Sequence, residues 1–197
     1  YVVVNTLLYQ NDLAAAMEYL AELDKLRPDA LIIQDLGVWE LCNTYFPDLR
    51  LHASTQMGIH NRAGLAVAAQ NRIKRVILER QVTLDELRQM AKDAPLELEV
   101  FVHGSLCVSL SGRCLLSASL SPEESGNRGR CKQPCRKRLT SDGKVGFYLS
   151  PGDLDASSLM EEFRRLKIAS LKIEGRLRSN DYIWKTARAY RLLADDP

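Results

Sequence analysis

The sequence predicts an α/β protein built on a parallel sheet, of the TIM-type (β/α) barrel class. Three observations predict it. Short apolar runs recur at residues 2–5, 31–34, 51–54, 75–78, 98–102 and 171–173, the kind of run that a parallel sheet buries on both faces. Amphipathic segments with apolar residues at three-to-four spacing separate several of them, notably 12–26, 61–70 and 83–92, and strand alternating with helix implies parallel pairing. The repeat of about 20 to 29 residues per unit is close to that of an eight-unit barrel of roughly 250 residues.

In chain order, Tyr1-Val-Val-Val-Asn5 opens inside an apolar strand with no initiator Met. That start predicts an excerpt: a barrel incomplete at its amino end, with two units ahead of Tyr1 and bare sheet edges through which the chain would self-associate. Asn11-Asp12 starts the first helix, and Cys42 in the helical stretch 38–45 is expected in the core. Thr83 with Glu86 three residues on makes a capping-box pattern. Ser150-Pro151 with Asp153 predicts a helix opening there and running to about Leu166, and residues 145–149 read as a short strand. Trp39, Trp184 and Tyr190, at helical positions, read as packing residues.

The stretch 104–144 breaks this rhythm. It is rich in Ser, Gly, Pro and Arg, has no apolar period, and reads as a long functional insertion after a strand. Four of the five cysteines fall in it, as C-x6-C-x16-C-x3-C at Cys107, Cys114, Cys131 and Cys135. Two disulfides would suit a small secreted domain, which the flanks do not resemble. A structural zinc site would use four thiolates but favours gaps of two to four. An iron-sulfur cluster needs four soft thiolate donors and tolerates wider spacings, so it is the best match, with zinc as the alternative. From Cys107 to Arg138 seven Lys or Arg stand against Glu123 and Glu124, in a chain whose net charge is only +2. Such a local excess lowers thiolate pKa values, offsets a cluster's negative charge, or holds an RNA phosphate.

At 197 residues, 46% hydrophobic and 26% charged, the chain suits one domain with one core, spanning 1–197. No apolar run approaches the roughly 20 residues that cross a bilayer, and no leader is visible, so the expectation is a cytoplasmic protein without a membrane partner. A barrel places its chemistry where its strands end. The residues there are Asn5, Gln34, Asp35, Ser54, Thr55, Gln56, Glu79, Arg80, His103, Glu174 and Arg176, which predict a polar bowl beside the cysteines.

Several long motifs, in order, carry a resemblance: Glu99-Val-Phe101-Val-His-Gly104-Ser-Leu-Cys107, Gly112-Arg-Cys114-Leu-Leu-Ser117, and Asn127-Arg-Gly-Arg-Cys131-Lys-Gln-Pro-Cys135-Arg, together with His52-Ala-Ser-Thr-Gln-Met57 and Leu171-Lys-Ile-Glu-Gly-Arg176. The chain resembles the collagenase-like peptidase U-32 family over nearly its whole length. The resemblance implies one of two activities. The family was named for collagen degradation; other members are implicated in oxygen-independent hydroxylation, of a tRNA wobble uridine, of a cytidine in large-subunit rRNA, or of the ubiquinone ring, with four cysteines carrying a 4Fe-4S cluster.

No H-E-x-x-H or G-x-S-x-G is present for protease chemistry, and His103 and Cys107, four apart, are separated by a glycine. The expectation is therefore RNA-base hydroxylation, with a peptidase, then a non-catalytic RNA-binding or ubiquinone-biosynthesis subunit, as alternatives. Cys107, Cys114, Cys131 and Cys135 would hold the cluster. Arg113, Arg128, Arg130 and Arg136 would bind RNA phosphate or an anionic cosubstrate, prephenate on the resemblance. Gln56, His103, Glu174 and Arg176 are the pocket candidates.

Overall fold

A computed structural model describes residues 1–195. The described residues form nine strands and seven α-helices, alternating except for three successive strands after α5: β1 (Val2–Val4), α1 (Leu13–Leu26), β2 (Leu31–Ile33), α2 (Leu36–Tyr45), β3 (Leu51–Ala53), α3 (Arg62–Gln70), β4 (Ile73–Ile77), α4 (Leu84–Ala91), β5 (Glu97–Ser105), α5 (Leu116–Leu120), β6 (Leu139–Ser141), β7 (Lys144–Gly146), β8 (Asp153–Asp155), α6 (Met160–Arg165), β9 (Ser170–Ile173) and α7 (Asn180–Asp195). The helix starts follow the local chemistry. Asp35 caps α2 through Gly37 and Val38 N–H, Asn61 caps α3 through Gly64 N–H, and Thr83 with Glu86 closes the capping box of α4.

β1 to β5 pair in parallel in sequence order, and β9 joins β5 in parallel, so each apolar run read from the sequence is a strand of one sheet. β5 is the longest strand and has three partners: β4 at Glu97–Glu99, β9 from Glu99 to His103, and the antiparallel β8 at His103–Ser105. The carbonyls of Leu98 and His103 both reach the β9 side, to Ala169 and Glu174 N–H. An even and an odd residue can face one edge only if the pleat slips, and the register breaks between Phe101 and His103.

The sheet curls into an open half-barrel. Asn5 Nδ2 donates to Ser54 Oγ at 3.2 Å although β2 lies between their strands, and flat strands two apart would stand about 10 Å from each other. Arg75, at β4, reaches the Tyr1 ring beside β1. Among the described residues β1 and β9 each pair along one edge only, so closure into a full barrel is not seen. The convex face packs Leu31, Ile33, Leu51, Ala53, Val76, Leu78, Leu98, Val100 and Val102 against the helices, and Cys42 is fully buried there. The alternate residues line the concave face: Ile32, His52, Arg75 and Glu97 in one row, then Asn5, Gln34, Ser54 and Glu99.

Two expectations are corrected. The helix expected from Ser150-Pro151 does not begin there: residues 153–155 are β8, drawn into the sheet by the overhanging end of β5, and α6 begins at Met160. Trp184 does not pack; it is 59% exposed on α7, under Arg188. The stretch around 145 belongs to a separate hairpin, β6–β7, turned by Asp142-Gly143 with positive φ at both positions, which is why that dipeptide serves.

Candidate functional site

The carboxyl ends of the strands form the expected polar bowl. Gln56 Nε2 donates to Asn5 O at 3.2 Å, tying the ends of β1 and β3. Arg80, just past β4, is the centre of the far side. Its terminal nitrogen meets Glu174 at 2.5 Å and its guanidinium lies 4.0 Å from the centroid of Phe101. Below it the concave face continues as alternating charge, with Lys172 and Arg75 both on Glu99, at 3.2 and 3.3 Å, and Arg75 also on Glu97. Deeper still His52, 1% exposed, is held neutral: burial, then the charges of Arg75 and Arg50, push its pKa down to about 4.

The end of β5 and the chain from it to β8 are laid over this rim by four anchors. Glu79, 3% exposed, accepts Ser111 N–H and Gln81 N–H on its two oxygens. Next to Ser111, Gly112 (φ 73) brings its backbone so close to Gln56 that a Cβ would sit 2.0 Å from Gln56 O. Gly104 (φ 102) plays the same part at Glu174, whose carbonyl would lie 2.5 Å from an added Cβ. No residue but glycine satisfies both the conformation and the approach. On the β1 side, Leu7 N–H donates to Asn127 O, and Arg128 reaches Leu7 O, Asp12 and the Tyr9 ring.

The same contacts gather the cysteine segments. Arg136 donates to Leu106 O, Pro151 O and Ser150 Oγ, which ties the Cys135 turn to the residue before Cys107. Lys132 N–H donates to Ser117 Oγ, tying the Cys131 side to the short helix after Cys114. Gln133 N–H points at Cys131 Sγ, 3.3 Å away. All five cysteines are free thiols, and the four in this connection are partly exposed. The Cys135 pKa is raised, first by burial and then by the nearby Cys107 and Cys131. Among the described residues no three His, Cys, Asp or Glu side chains already stand at metal-holding distances. What fits a cluster is therefore the donor chemistry and the tied segments, not a finished ligand sphere.

The residues singled out from sequence divide clearly. Gln56, Glu174 and Arg176 stand at the bowl, Arg176 N–H donating to Glu174. His103 does not: past the slipped pleat its ring packs under α7, with Nδ1 3.3 Å from Tyr190 Oη and Tyr182 alongside. Arg128 and Arg136 are engaged within the fold. Arg113 and Arg130 are exposed, and among the described residues their side chains make no hydrogen bond or ion pair, only their backbone N–H groups being engaged, with Leu110 O and Ser125 O. Asp35 and Thr55 are structural, as helix cap and as donor to Leu78 O. Arg80 and Glu79 carry most of the geometry, and from sequence they were two of eleven strand-end residues with nothing to rank them.

The model of Peptidase family U32 matches residues 1–197. The chain belongs to this family. Among its relatives, an uncharacterized protease of Methanocaldococcus jannaschii is 38% identical over 99% of this chain and 51% of its own length. The tRNA hydroxylation protein P of Helicobacter pylori is 35% identical over 100% of this chain and 50% of its own. A 23S rRNA 5-hydroxycytidine synthase of Escherichia coli is 33% identical over 99% of this chain and 30% of its own. The chain thus spans about half the length, or less, of the curated relatives it matches. No helix among the described residues is long and apolar enough to cross a membrane.

Proposed function

We propose that this U32 chain is the cluster-bearing part of an RNA-pyrimidine hydroxylation protein. The observation that carries the reading is the seating of the four-thiol connection directly on the rim of the polar bowl, by Glu79 with Ser111 and Gly112 with Gln56. Relatives named for tRNA and rRNA hydroxylation support it. Cys107, Cys114, Cys131 and Cys135 would hold a 4Fe-4S cluster, which when bound supplies one-electron transfer or Lewis-acid chemistry. The chain's own residues do the rest. Glu79 and Gly112 fix the distance between thiols and bowl. Arg113, Arg130, Lys137 and Arg138, all exposed, offer charge to RNA phosphates or to an anionic cosubstrate such as prephenate.

A peptidase would need an activated nucleophile, and among the described residues no hydrogen bond joins a histidine to a cysteine. His103 is turned to Tyr190, and His60 to Gly58 O. The test is the modified-nucleoside profile of tRNA and rRNA from a strain lacking the full-length gene, beside a peptide-cleavage assay of the purified protein. Loss of one hydroxylated pyrimidine with casein and collagen left intact is expected. An unchanged profile with cysteine-dependent peptide cleavage would overturn the reading.

A further inference from the structure

The hairpin β6–β7 stands out from the cysteine connection with its apolar side chains in water. Val145 is 54% and Phe147 58% exposed, and no residue between 106 and 152 belongs to the core cluster. Tyr148 braces the hairpin from within: its hydroxyl donates to Lys144 O at 3.1 Å and its ring lies over Gly146. Phe147 makes no ring or cation contact among the described residues. A two-stranded hairpin that buries nothing is marginal by itself in water, and apolar side chains displayed together on one mark a contact surface.

The charge around this surface has one sign. Lys137, Arg138 and Lys144 are exposed, and their side chains make no hydrogen bond or ion pair among the described residues. From Arg136 to Leu149 the only acid is Asp142, at the turn. Thr140 stands opposite Val145. Two residues further from the turn on either strand come Arg138 and Phe147, which the alternation of the pleat gives the same face. A cation beside an unstacked ring on an exposed ribbon suits a chain in which phosphate and base alternate. A second copy of the hairpin would set three unpaired cations against three. Duplex RNA keeps its base faces in the stack and closes its deep major groove to side chains, so the strand that fits is a single one. Arg136 sets the surface beside the thiols, donating to Leu106 O, Ser150 Oγ and Pro151 O, and so ties the base of the hairpin to the residue before Cys107.

We infer that hairpin β6–β7 is a clamp for unpaired RNA on the cysteine side of the bowl, one base stacking on Phe147 and the adjoining phosphates held by Lys137, Arg138 and Lys144. The inference rests on the hydroxylation reading and adds a contact that does not depend on which pyrimidine is modified.

Full-length protein titrated into a fluorescein-labelled single-stranded RNA of about 12 nucleotides, and into the same strand annealed to its complement, tests it by fluorescence anisotropy. Phe147→Leu keeps apolar bulk and removes the ring face. It should weaken the single strand at least about fivefold and change the duplex by less than about twofold. Arg138→Gln and Lys144→Gln should each reduce the slope of log affinity against log salt by about 0.7. Ultraviolet crosslinking of the unsubstituted protein should attach the strand to the peptide that carries Phe147, a readout that needs no variant to fold. Crosslinks confined to other peptides, a single strand bound equally well after Phe147→Leu, or a duplex that loses as much as the strand would each overturn the clamp. So would binding of phosphatidylglycerol vesicles, or a dimer of the protein, that depends on Phe147 while the single strand does not. The two readings fail separately. A deletion strain that loses its hydroxylated pyrimidine, with RNA binding indifferent to Phe147, removes only the clamp. An unchanged nucleoside profile with Phe147-dependent binding of the single strand removes only the hydroxylation reading.

Discussion

Replacing Gly112 with alanine isolates the contact that holds the cysteine connection to the bowl. The added Cβ would lie 2.0 Å from Gln56 O, where ordinary contact begins at 3.4 Å, so one backbone has to retreat by about 1.4 Å. At φ 73 the alanine also sits in the left-handed region, which costs a non-glycine residue about 1 kcal/mol. The turn after β3 is fixed by Ser54 and by Thr55 bonding Leu78 O, so the connection is the part that lifts. Lifting it pulls Ser111 N–H from the buried Glu79 carboxylate, a loss of about 1–3 kcal/mol. The core cluster contains no residue between 106 and 152, so the cost stays local. Amide exchange at Ser111 should accelerate by roughly thirtyfold, the equivalent of about 2 kcal/mol, and the melting temperature should shift by less than about 2 °C. Unchanged Ser111 protection, or a collapse of the melting temperature together with α1–α4 protection, would refute this account of the rim.

Three other outcomes follow from the same contacts. His52 keeps a folded pKa of about 4 against a usual 6.5, so between those pH values the unfolded chain binds a proton that the native state refuses. Stability is full above about pH 6.5 and falls by up to about 3 kcal/mol as pH drops toward 4. Urea unfolding across that window should show this slope, and His52→Phe should remove it; a variant with the same slope would rule His52 out. Full-length protein purified without oxygen should be brown, and Ser at Cys107, Cys114, Cys131 or Cys135 should each bleach it. Cys42→Ser should leave the colour, and in cluster-free protein Cys42, its thiol pKa pushed up to about 11 by burial, should resist alkylation at pH 8 while the other four react. Colourless anaerobic protein holding one zinc would refute the cluster. Tyr190→Phe removes a hydroxyl that donates to Val102 O at 2.7 Å and lies 3.3 Å from Asp155 and from His103. It should cost about 1–2 kcal/mol in urea unfolding, and a neutral effect would mean α7 is not clamped there.

The sequence by itself determined the six parallel strands and the first four helices, because each is written in local terms. An apolar run needs only burial, and Asp35, Asn61 and Thr83 cap the helices they precede. It also showed the four-cysteine pattern and the basic residues around it, since spacing and local charge are visible without coordinates. Gly104 and Gly112 stood in the motifs, but their reason did not. Each is glycine because a backbone from a distant strand passes within a methyl group's reach. Tertiary structure alone decided that residues 153–155 are a strand, because the partner is the far end of β5, about 50 residues earlier. It decided that His103 turns away from the bowl, through one slipped residue in β5. It also chose Arg80 over ten other polar strand ends, because pairing with Glu174 and stacking on Phe101 depend on side chains that meet only when the sheet curls.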